Sequence, residues 1–155
     1  MFNWLQGKVS GRHSLELFAG SGILSLEALS RGAASSTVVD SSKALTQHFR
    51  TIFNDFEINS AQCRVQNQDA FELIQTKPLA PYHLIFVDPP FDSDRYLDIV
   101  PDLLKNEFLA EDGLLYLEAP SAEVITAVAH QGLSVYRQKQ AGQVHYALLN
   151  RGSLI

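Results

Sequence analysis

The sequence is poor in cysteine and lacks metal-ligating patterns. Cys63 is the single cysteine among 155 residues, which excludes an internal disulfide and a metal site built from several thiolates. We expect Cys63 to be a small buried strand residue and not a nucleophile. The histidines, at positions 13, 48, 83, 130 and 145, lack the spacing of metal ligands. The sequence therefore predicts no bound metal ion.

The sequence also lacks a surplus of positive charge and any long hydrophobic run. Its net charge of −5 disfavours a nucleic-acid partner, because domains that bind nucleic acid are usually basic. No apolar run approaches the roughly 20 residues that span a bilayer, and no basic segment followed by an apolar one marks a signal peptide. We therefore expect a cytoplasmic protein without a membrane partner.

The composition that is present is that of one globular α/β domain over residues 1–155, with 46% hydrophobic and 19% charged residues. Short β-rich runs alternate with segments of helical periodicity, and the last two β-rich runs predict an antiparallel hairpin. The pattern predicts a mostly parallel seven-stranded sheet with helices on both faces. The predicted strands are 14–18, 36–40, 62–66, 82–87, 114–118, 134–139 and 144–149, and the predicted helices are 23–31, 43–58, 70–75, 95–106 and 122–130.

Three local expectations accompany this pattern. Residues 1–6 are expected to form the last turns of a helix that Gly7 closes. In the helix at 23–31, Ile23 and Leu26 are expected to face the core, because they share the apolar spacing of a buried helix face. A turn is expected at 111–113, before the fifth strand.

A glycine-rich segment follows the first predicted strand. Gly20-Ser21-Gly22 allows a tight turn and a close approach of the backbone to a ligand at the amino end of the next helix. The segment departs from the dinucleotide-binding fingerprint, because Ser25 stands where the third glycine belongs. Asp40 ends the second predicted strand, where an acid commonly binds ribose hydroxyls. Together these residues predict a nucleoside cofactor without identifying it.

The acids at two strand ends have an alternative role as helix caps. Asp40 precedes the helix predicted at 43–58, Asp69 precedes the helix predicted at 70–75, and aspartate is a favoured N-cap residue. Asp69 could instead accept a hydrogen bond from an adenine amino group. The residues alone leave both alternatives open.

The strand predicted at 82–87 ends in Asp88-Pro89-Pro90-Phe91. The prolines stiffen this turn, which lies at the edge of the sheet where α/β proteins bind ligands. The Asp88 carboxylate and the Pro89 carbonyl can accept both N–H bonds of a nucleobase amine, which frees the nitrogen lone pair to attack a sulfonium methyl group. Phe91 can stack on a base that has left its helix. The segment therefore predicts methylation of an exocyclic amine.

These segments resemble those of class I S-adenosylmethionine-dependent methyltransferases that act on amines. More narrowly, the segments FNWL at 2–5, LEALSRG at 26–32 and AGQV at 141–144 resemble those of the RsmD family, which methylates a guanine N2 of 16S ribosomal RNA in bacteria. The resemblance implies a Rossmann-like class I methyltransferase fold and S-adenosyl-L-methionine as cofactor, with S-adenosyl-L-homocysteine as product. It also implies a monomer that acts on ribosomal RNA, the small ribosomal subunit or an assembly intermediate. The class I resemblance itself is carried by LFAGSG at 17–22 and DPPF at 88–91.

The resemblance implies two groups of site residues. The glycine loop would lie against the methionine part of the cofactor, Asp40 would hold the ribose, and Asp69 would hold the adenine amine. The implied catalytic residues, which would hold the target base, are Asp88, Pro89, Pro90 and Phe91. The full implied cofactor site is Phe18, Ala19, Gly20, Ser21, Gly22, Asp40, Asp69 and Ala70.

Members of the family normally begin with a basic stretch before the FNWL segment, and this sequence lacks it. We expect such an upstream segment to bind RNA phosphate groups, which would reconcile the net charge of −5 with an RNA substrate. Arg95, close after Phe91, is a further candidate for contact with the substrate.

Other functions remain open from the residues. An Asp-Pro-Pro-aromatic turn can grip any exocyclic amine, so adenine-N6 methylation of DNA or RNA is the alternative activity. A nucleotide-binding α/β domain without catalysis would use the cofactor site alone. An NAD-dependent oxidoreductase fits less well, because no catalytic Tyr-Lys or His pair is evident and the segment 88–91 would have no role.

Overall fold

The fold is seen in a computed structural model that describes residues 2–20, 22–89 and 96–152. Over these residues the chain forms a short 3₁₀ helix (Phe2–Leu5) and an alternating series of strands and helices. The helices are α1 (Ile23–Ser30), α2 (Lys43–Asp55), α3 (Ala70–Leu73), α4 (Tyr96–Lys105) and α5 (Ala122–Ala129). The strands are β1 (His13–Leu17), β2 (Ser35–Asp40), β3 (Cys63–Asn67), β4 (Tyr82–Val87), β5 (Leu109–Ala119), β6 (Ser134–Ala141) and β7 (Val144–Asn150).

The described strands form one sheet in the order β3-β2-β1-β4-β5-β7-β6. The pairs among β1 to β5 are parallel, and β7 is antiparallel to both β5 and β6. The prediction of a mostly parallel seven-stranded sheet with an antiparallel C-terminal hairpin is confirmed. The strand order reverses between β1 and β4: β2 and β3 lie on one side of β1, whereas β4 and the later strands lie on its other side.

Helices cover both faces of the sheet because the central strands are apolar on both sides. In β4, Ile85 and Val87 belong to the core under α3, α4 and α5. Leu84 and Phe86 belong to the opposite core, which includes residues of the amino-terminal segment and α1. Helix α2 packs Phe49 and Phe53 beside Val38 on that second face. Because β4 is buried on both faces, the residue that follows it, Asp88, has a fixed position at the edge of the sheet.

Helix α1 does not bury the face that its periodicity predicts. Ile23 is 64% exposed, while Ser25 and Ala28 are buried and Leu26 packs partly against the α2 core. Ile23 opens the helix directly after the loop that follows β1, so its turn lies at the edge of the sheet and not over it. The prediction for Ile23 is wrong, and the prediction for Leu26 is confirmed in part.

Strand β5 and the ends of some helices also differ from the prediction. The turn expected at 111–113 lies inside β5, at the place where its register with β4 shifts. Phe108 and Leu109 are buried, and Leu109 pairs with Tyr82 of β4, so the strand begins upstream of the expected turn. Helix α2 ends at Asp55 and α3 has a single turn, both shorter than predicted. Residues 2–5 form a 3₁₀ helix and not the end of an α-helix.

Candidate active site

The candidate site lies where the carboxyl ends of β1 and β4 meet. These two strands are adjacent and parallel, with Leu17 in register with Val87, so the loops after them start at the same height. Because the strand order reverses between them, the loops diverge and leave a crevice. The segments that follow are the glycine-rich loop at 18–22 and the turn that begins at Asp88, so the structure brings the two principal predicted segments together.

The loop after β1 adopts an unusual backbone. Phe18, Gly20 and Gly22 have φ angles of 56°, 57° and 71°, and Phe18 adopts this left-handed conformation although it is not a glycine. A Cβ atom on Gly22 would lie 2.9 Å from the Phe49 ring, so any other residue there would displace the ring, whereas the space beside Gly20 is open. Ala19 is buried, and its N–H donates to the Val39 carbonyl at 3.1 Å. Ser21 lies outside the described residues.

Asp40 joins the end of β2 to this loop. Its carboxylate accepts the Gly20 N–H at 3.0 Å and the Ser42 N–H at 2.8 Å. The N-cap of α2 is Ser42, whose hydroxyl accepts the Leu45 N–H at 3.2 Å, so the alternative of Asp40 as the helix cap is wrong. A carboxylate has about four lone-pair sites, so both Asp40 oxygens retain capacity for a further donor.

Asp69 and Ala70 lie at the end of β3, on the other side of Asp40. Asp69 is exposed and caps α3, since its Oδ1 accepts the Glu72 N–H at 3.1 Å; the capping role proposed as an alternative is confirmed. Ala70 is buried. The Phe18 and Phe71 rings meet edge to face with their centroids 5.1 Å apart, which ties the β1 loop to α3.

The turn after β4 places Asp88 at the surface and buries Pro89. The Pro89 carbonyl accepts the Tyr96 hydroxyl of α4 at 3.4 Å, and burial raises the pKa of that hydroxyl to about 12. A carbonyl oxygen has two lone pairs, so Pro89 can accept one more donor. Pro90, Phe91 and Arg95 lie outside the described residues, and their predicted roles stay predictions.

Glu118 is a member of this site that sequence reasoning missed. It follows Leu117, which is in register with Val87, so Glu118, near the end of β5, is the neighbour of Asp88 on the adjacent strand. The Tyr116 hydroxyl donates to Glu118 Oε1 at 2.7 Å. Asp88 is exposed, but the surrounding protein still removes part of the hydration of its carboxylate. This loss of hydration, together with the charge of Glu118 and a hydrogen bond with it, raises the pKa of Asp88 to about 6.

Glu16 is a second acid that sequence reasoning missed. It is 4% exposed and its Oε1 accepts the Ser25 N–H of α1 at 2.9 Å. Burial raises its pKa from 4.5 to about 7, although its contact with Ser25 lowers the pKa in part. A polar residue inside a short strand is usually taken as solvent-facing, which is why the sequence did not reveal it. The sequence signal that could have pointed to Glu16 is its position just before the glycine loop.

We predict that Glu16→Gln makes the stability of the protein less sensitive to pH. The folded protein holds more protons than the unfolded chain between about pH 4.5 and pH 7, so this carboxyl costs stability as the pH rises through that range. Glutamine keeps the oxygen that accepts the Ser25 N–H and cannot ionise. Urea unfolding gives the free energy of unfolding of the variant minus that of the wild type. This difference should be larger above pH 7 than at low pH, by on the order of 3 kcal/mol.

The control for this experiment is Glu27→Gln. Glu27 pairs with Arg31 on the surface of α1 at 2.8 Å, and such exposed pairs contribute about 0–1 kcal/mol. Parallel pH curves for the wild type and Glu16→Gln would contradict the burial of an ionisable Glu16.

Other predicted features have simple structural places. Cys63 is buried in β3, and burial raises the pKa of its thiol to about 12, so it remains protonated as expected of a packing residue. Within the described part of the chain, no cluster of three or more His, Cys, Asp or Glu residues has the geometry to hold a metal ion. Over the same residues no helix is long and apolar enough to span a membrane.

Comparison with known proteins places the chain in a family. The family model described as Conserved hypothetical protein 95 matches residues 1–150. An Escherichia coli (strain K12) protein named Ribosomal RNA small subunit methyltransferase D is 36% identical over 151 residues, which cover 97% of this chain and 74% of the relative. This chain is a member of the RsmD family.

Solved structures agree with this assignment. The Escherichia coli protein yhhF, described as a methyltransferase, superposes with a TM-score of 0.88 at 35% identity, covering 97% of this chain and 81% of the other. A Haemophilus influenzae structure described as a methylase superposes with a TM-score of 0.87 at 27% identity, covering 97% and 92%. The sheet and its surrounding helices therefore form the Rossmann-like class I methyltransferase fold that the RsmD resemblance implies.

Proposed function

We propose that this RsmD-family chain transfers a methyl group from S-adenosyl-L-methionine to the exocyclic N2 of a guanine in 16S ribosomal RNA, with S-adenosyl-L-homocysteine as product. The observation that carries the proposal is the meeting of the glycine loop with Asp88 and Pro89 at one crevice. A nucleoside-binding loop on one strand and an acceptor pair on its neighbour fit transfer between a cofactor and an amine.

Two features of the site support the proposed cofactor. The space beside Gly20 is open, with only the Phe18 carbonyl oxygen as near as 4.0 Å to a Cβ built there. Asp40 retains lone pairs for the two ribose hydroxyls while it accepts the Gly20 and Ser42 N–H groups. In the proposal, Phe18, Ala19, Gly20, Ser21, Gly22, Asp40, Asp69 and Ala70 form this site. When bound, the cofactor supplies an electrophilic methyl group on a sulfonium.

Asp88 and Pro89 would hold the target amine. An exocyclic nitrogen is a poor nucleophile because its lone pair is delocalised into the base. Two acceptors that hold both N–H bonds rotate the amine and localise that lone pair towards the methyl group. With a pKa of about 6, Asp88 is ionised at neutral pH and accepts strongly. Phe91, with Pro90 as part of its stiff turn, would stack on the base.

The RNA would approach along the last strand of the sheet. Strand β6 is exposed along its whole length, and its Lys139 is in register with Tyr146, which is in register with Glu118. Lys139 and Arg137 are therefore candidates for contact with phosphate groups despite the negative net charge. Arg151 is a weaker candidate, because its guanidinium donates to the Leu109 and Ala110 carbonyls. We further propose that the single domain works in the cytoplasm as a monomer on ribosomal RNA, the small subunit or its precursor, without a metal ion.

The direct test is to incubate the protein with S-adenosylmethionine labelled in its methyl group and small ribosomal subunits from cells that lack this methylation. Label on the N2 of one guanine is the expected result. Label on an adenine N6 would overturn the guanine assignment in favour of the alternative activity. Tight cofactor binding without transfer to any nucleic acid would indicate a non-catalytic domain.

We predict that Asp40→Asn weakens the binding of S-adenosylmethionine. The amide offers one acceptor oxygen in place of two, so a ribose hydroxyl or a backbone N–H loses its partner. A hydrogen bond to a charged group contributes about 1.5–3 kcal/mol, so the dissociation constant should rise roughly 10- to 100-fold by calorimetry.

Ser42→Ala is the matched control, since it removes the α2 cap at a cost of about 1 kcal/mol in stability and leaves the Asp40 oxygens in place. Equal affinities for the wild type and Asp40→Asn would exclude Asp40 from the ribose site. Binding of NAD in place of S-adenosylmethionine by the wild type would overturn the cofactor assignment itself.

A further inference from the structure

We propose that Glu118 selects guanine by accepting the N1–H of the base whose N2 amine Asp88 holds. The inference rests on the proposed function and deepens it, because it adds a residue that determines specificity to the same site. It depends on the placement of Glu118 beside Asp88, which neither the motif at 88–91 nor the comparisons with relatives indicate.

The geometry places two carboxyl groups side by side at the mouth of the crevice. Val87 and Leu117 are in register, so the residues that follow them, Asp88 and Glu118, are neighbours on adjacent strands, and the charge of Glu118 contributes to the raised pKa of Asp88. Glu118 is half-buried, and its Oε1 is held by the Tyr116 hydroxyl at 2.7 Å. Tyr116 is itself 5% exposed, so a buried hydroxyl fixes Oε1 of Glu118, and the second oxygen is the one that the proposal assigns to the base.

The charges around this pair make it an acceptor of hydrogen bonds. Within residues 2–20, 22–89 and 96–152, no lysine or arginine forms a salt bridge with either carboxyl group. Burial and the neighbouring Glu118 carboxylate raise the pKa of the Tyr116 hydroxyl, so this hydroxyl stays protonated and acts as the donor. Two adjacent carboxylates that repel each other are stabilised by a ligand that brings two adjacent donors.

Guanine is such a ligand. Its N1–H and N2–H groups are neighbouring donors on one edge of the base, so N2–H can donate to Asp88 while N1–H donates to Glu118. Adenine presents an amine beside an unprotonated N1, whose lone pair would face the Glu118 carboxylate. A site built to pair with a substrate N–H rejects analogues that lack it, because its own polar group is left without a partner. Glu118 therefore distinguishes bases that Asp88 and Pro89 alone would both accept.

The test compares guanosine with 2-aminopurine riboside at the methylated nucleotide of a small-subunit RNA fragment. Both bases carry the 2-amine, but 2-aminopurine has an unprotonated N1. We expect the wild type to prefer guanosine by roughly 10- to 100-fold in kcat/KM, the range of one charged hydrogen bond. In Glu118→Gln, the Tyr116 hydroxyl holds the amide oxygen and directs the NH₂ group at the base, so this preference should fall by a similar factor or reverse.

Glu123→Gln, which makes the same change at an exposed position of α5, is the matched control and should keep the wild-type preference. A wild type that methylates both bases equally would overturn the inference, and so would Glu118→Gln with an unchanged preference. In both cases transfer to guanosine persists and the proposed function stands. If the wild type transferred no methyl group to guanosine, the proposed function itself would be refuted. The wild-type comparison does not depend on the folding of any variant.

Discussion

Replacing Asp88 with alanine should lower the rate of methyl transfer by about 10²–10³-fold, the usual cost of removing one preorganised group that stabilises a transition state. The carboxylate would no longer hold the target amine, and its lone pair would remain delocalised in the base. Affinity for S-adenosylmethionine should be unchanged, since the proposed cofactor contacts lie at or just after the ends of β1, β2 and β3. Single-turnover methylation and calorimetry measure the two quantities separately.

Asp88→Asn is the matched variant, because its amide oxygen can still accept one N–H of the amine. It should retain more activity than alanine, and it also removes the repulsion with Glu118 that helps to raise the pKa of Asp88. Transfer by Asp88→Ala at the wild-type rate would refute the acceptor-pair mechanism. A parallel loss of cofactor affinity would place Asp88 in the cofactor site.

Gly22→Ala should destabilise the protein by about 2–5 kcal/mol. Gly22 has a φ of 71°, which costs an L-residue about 1–2 kcal/mol. The added Cβ would lie 2.9 Å from the Phe49 ring, and Phe49 is 1% exposed in the core beside Val38. Overpacking of such a core costs a further 1–3 kcal/mol or so. Urea unfolding with and without S-adenosylmethionine would measure the loss and any change in ligand stabilisation.

Gly142→Ala separates the two contributions. Gly142 joins β6 and β7 with a φ of 61°, and a Cβ there would meet no atom within 4 Å. It should cost only the backbone strain of about 1–2 kcal/mol. Equal destabilisation by the two variants would show that the contact with Phe49 relaxes without cost.

Much of the fold was predictable from local patterns. The strands at β4 and β7 and the helix after Ser121 lie close to their predicted positions, because buried strands carry continuous apolar runs and caps follow fixed residue preferences. The misplaced turn at 111–113 shows the limit of such rules. Glu111-Asp112-Gly113 has the composition of a turn, but the burial of Leu109 and the pairing with β4 make it part of a strand.

The sequence by itself determined the class of fold, the glycine loop and the turn at Asp88, because hydrophobic periodicity, glycine and proline act over a few neighbouring residues. Only the tertiary structure decided what each of these acids contacts. Asp40 meets the Gly20 N–H, Glu16 lies beneath α1, and Glu118 stands beside Asp88. Each of these contacts depends on strand order and register or on how a helix packs on the sheet. Such contacts join residues distant in the chain, and no local pattern encodes them.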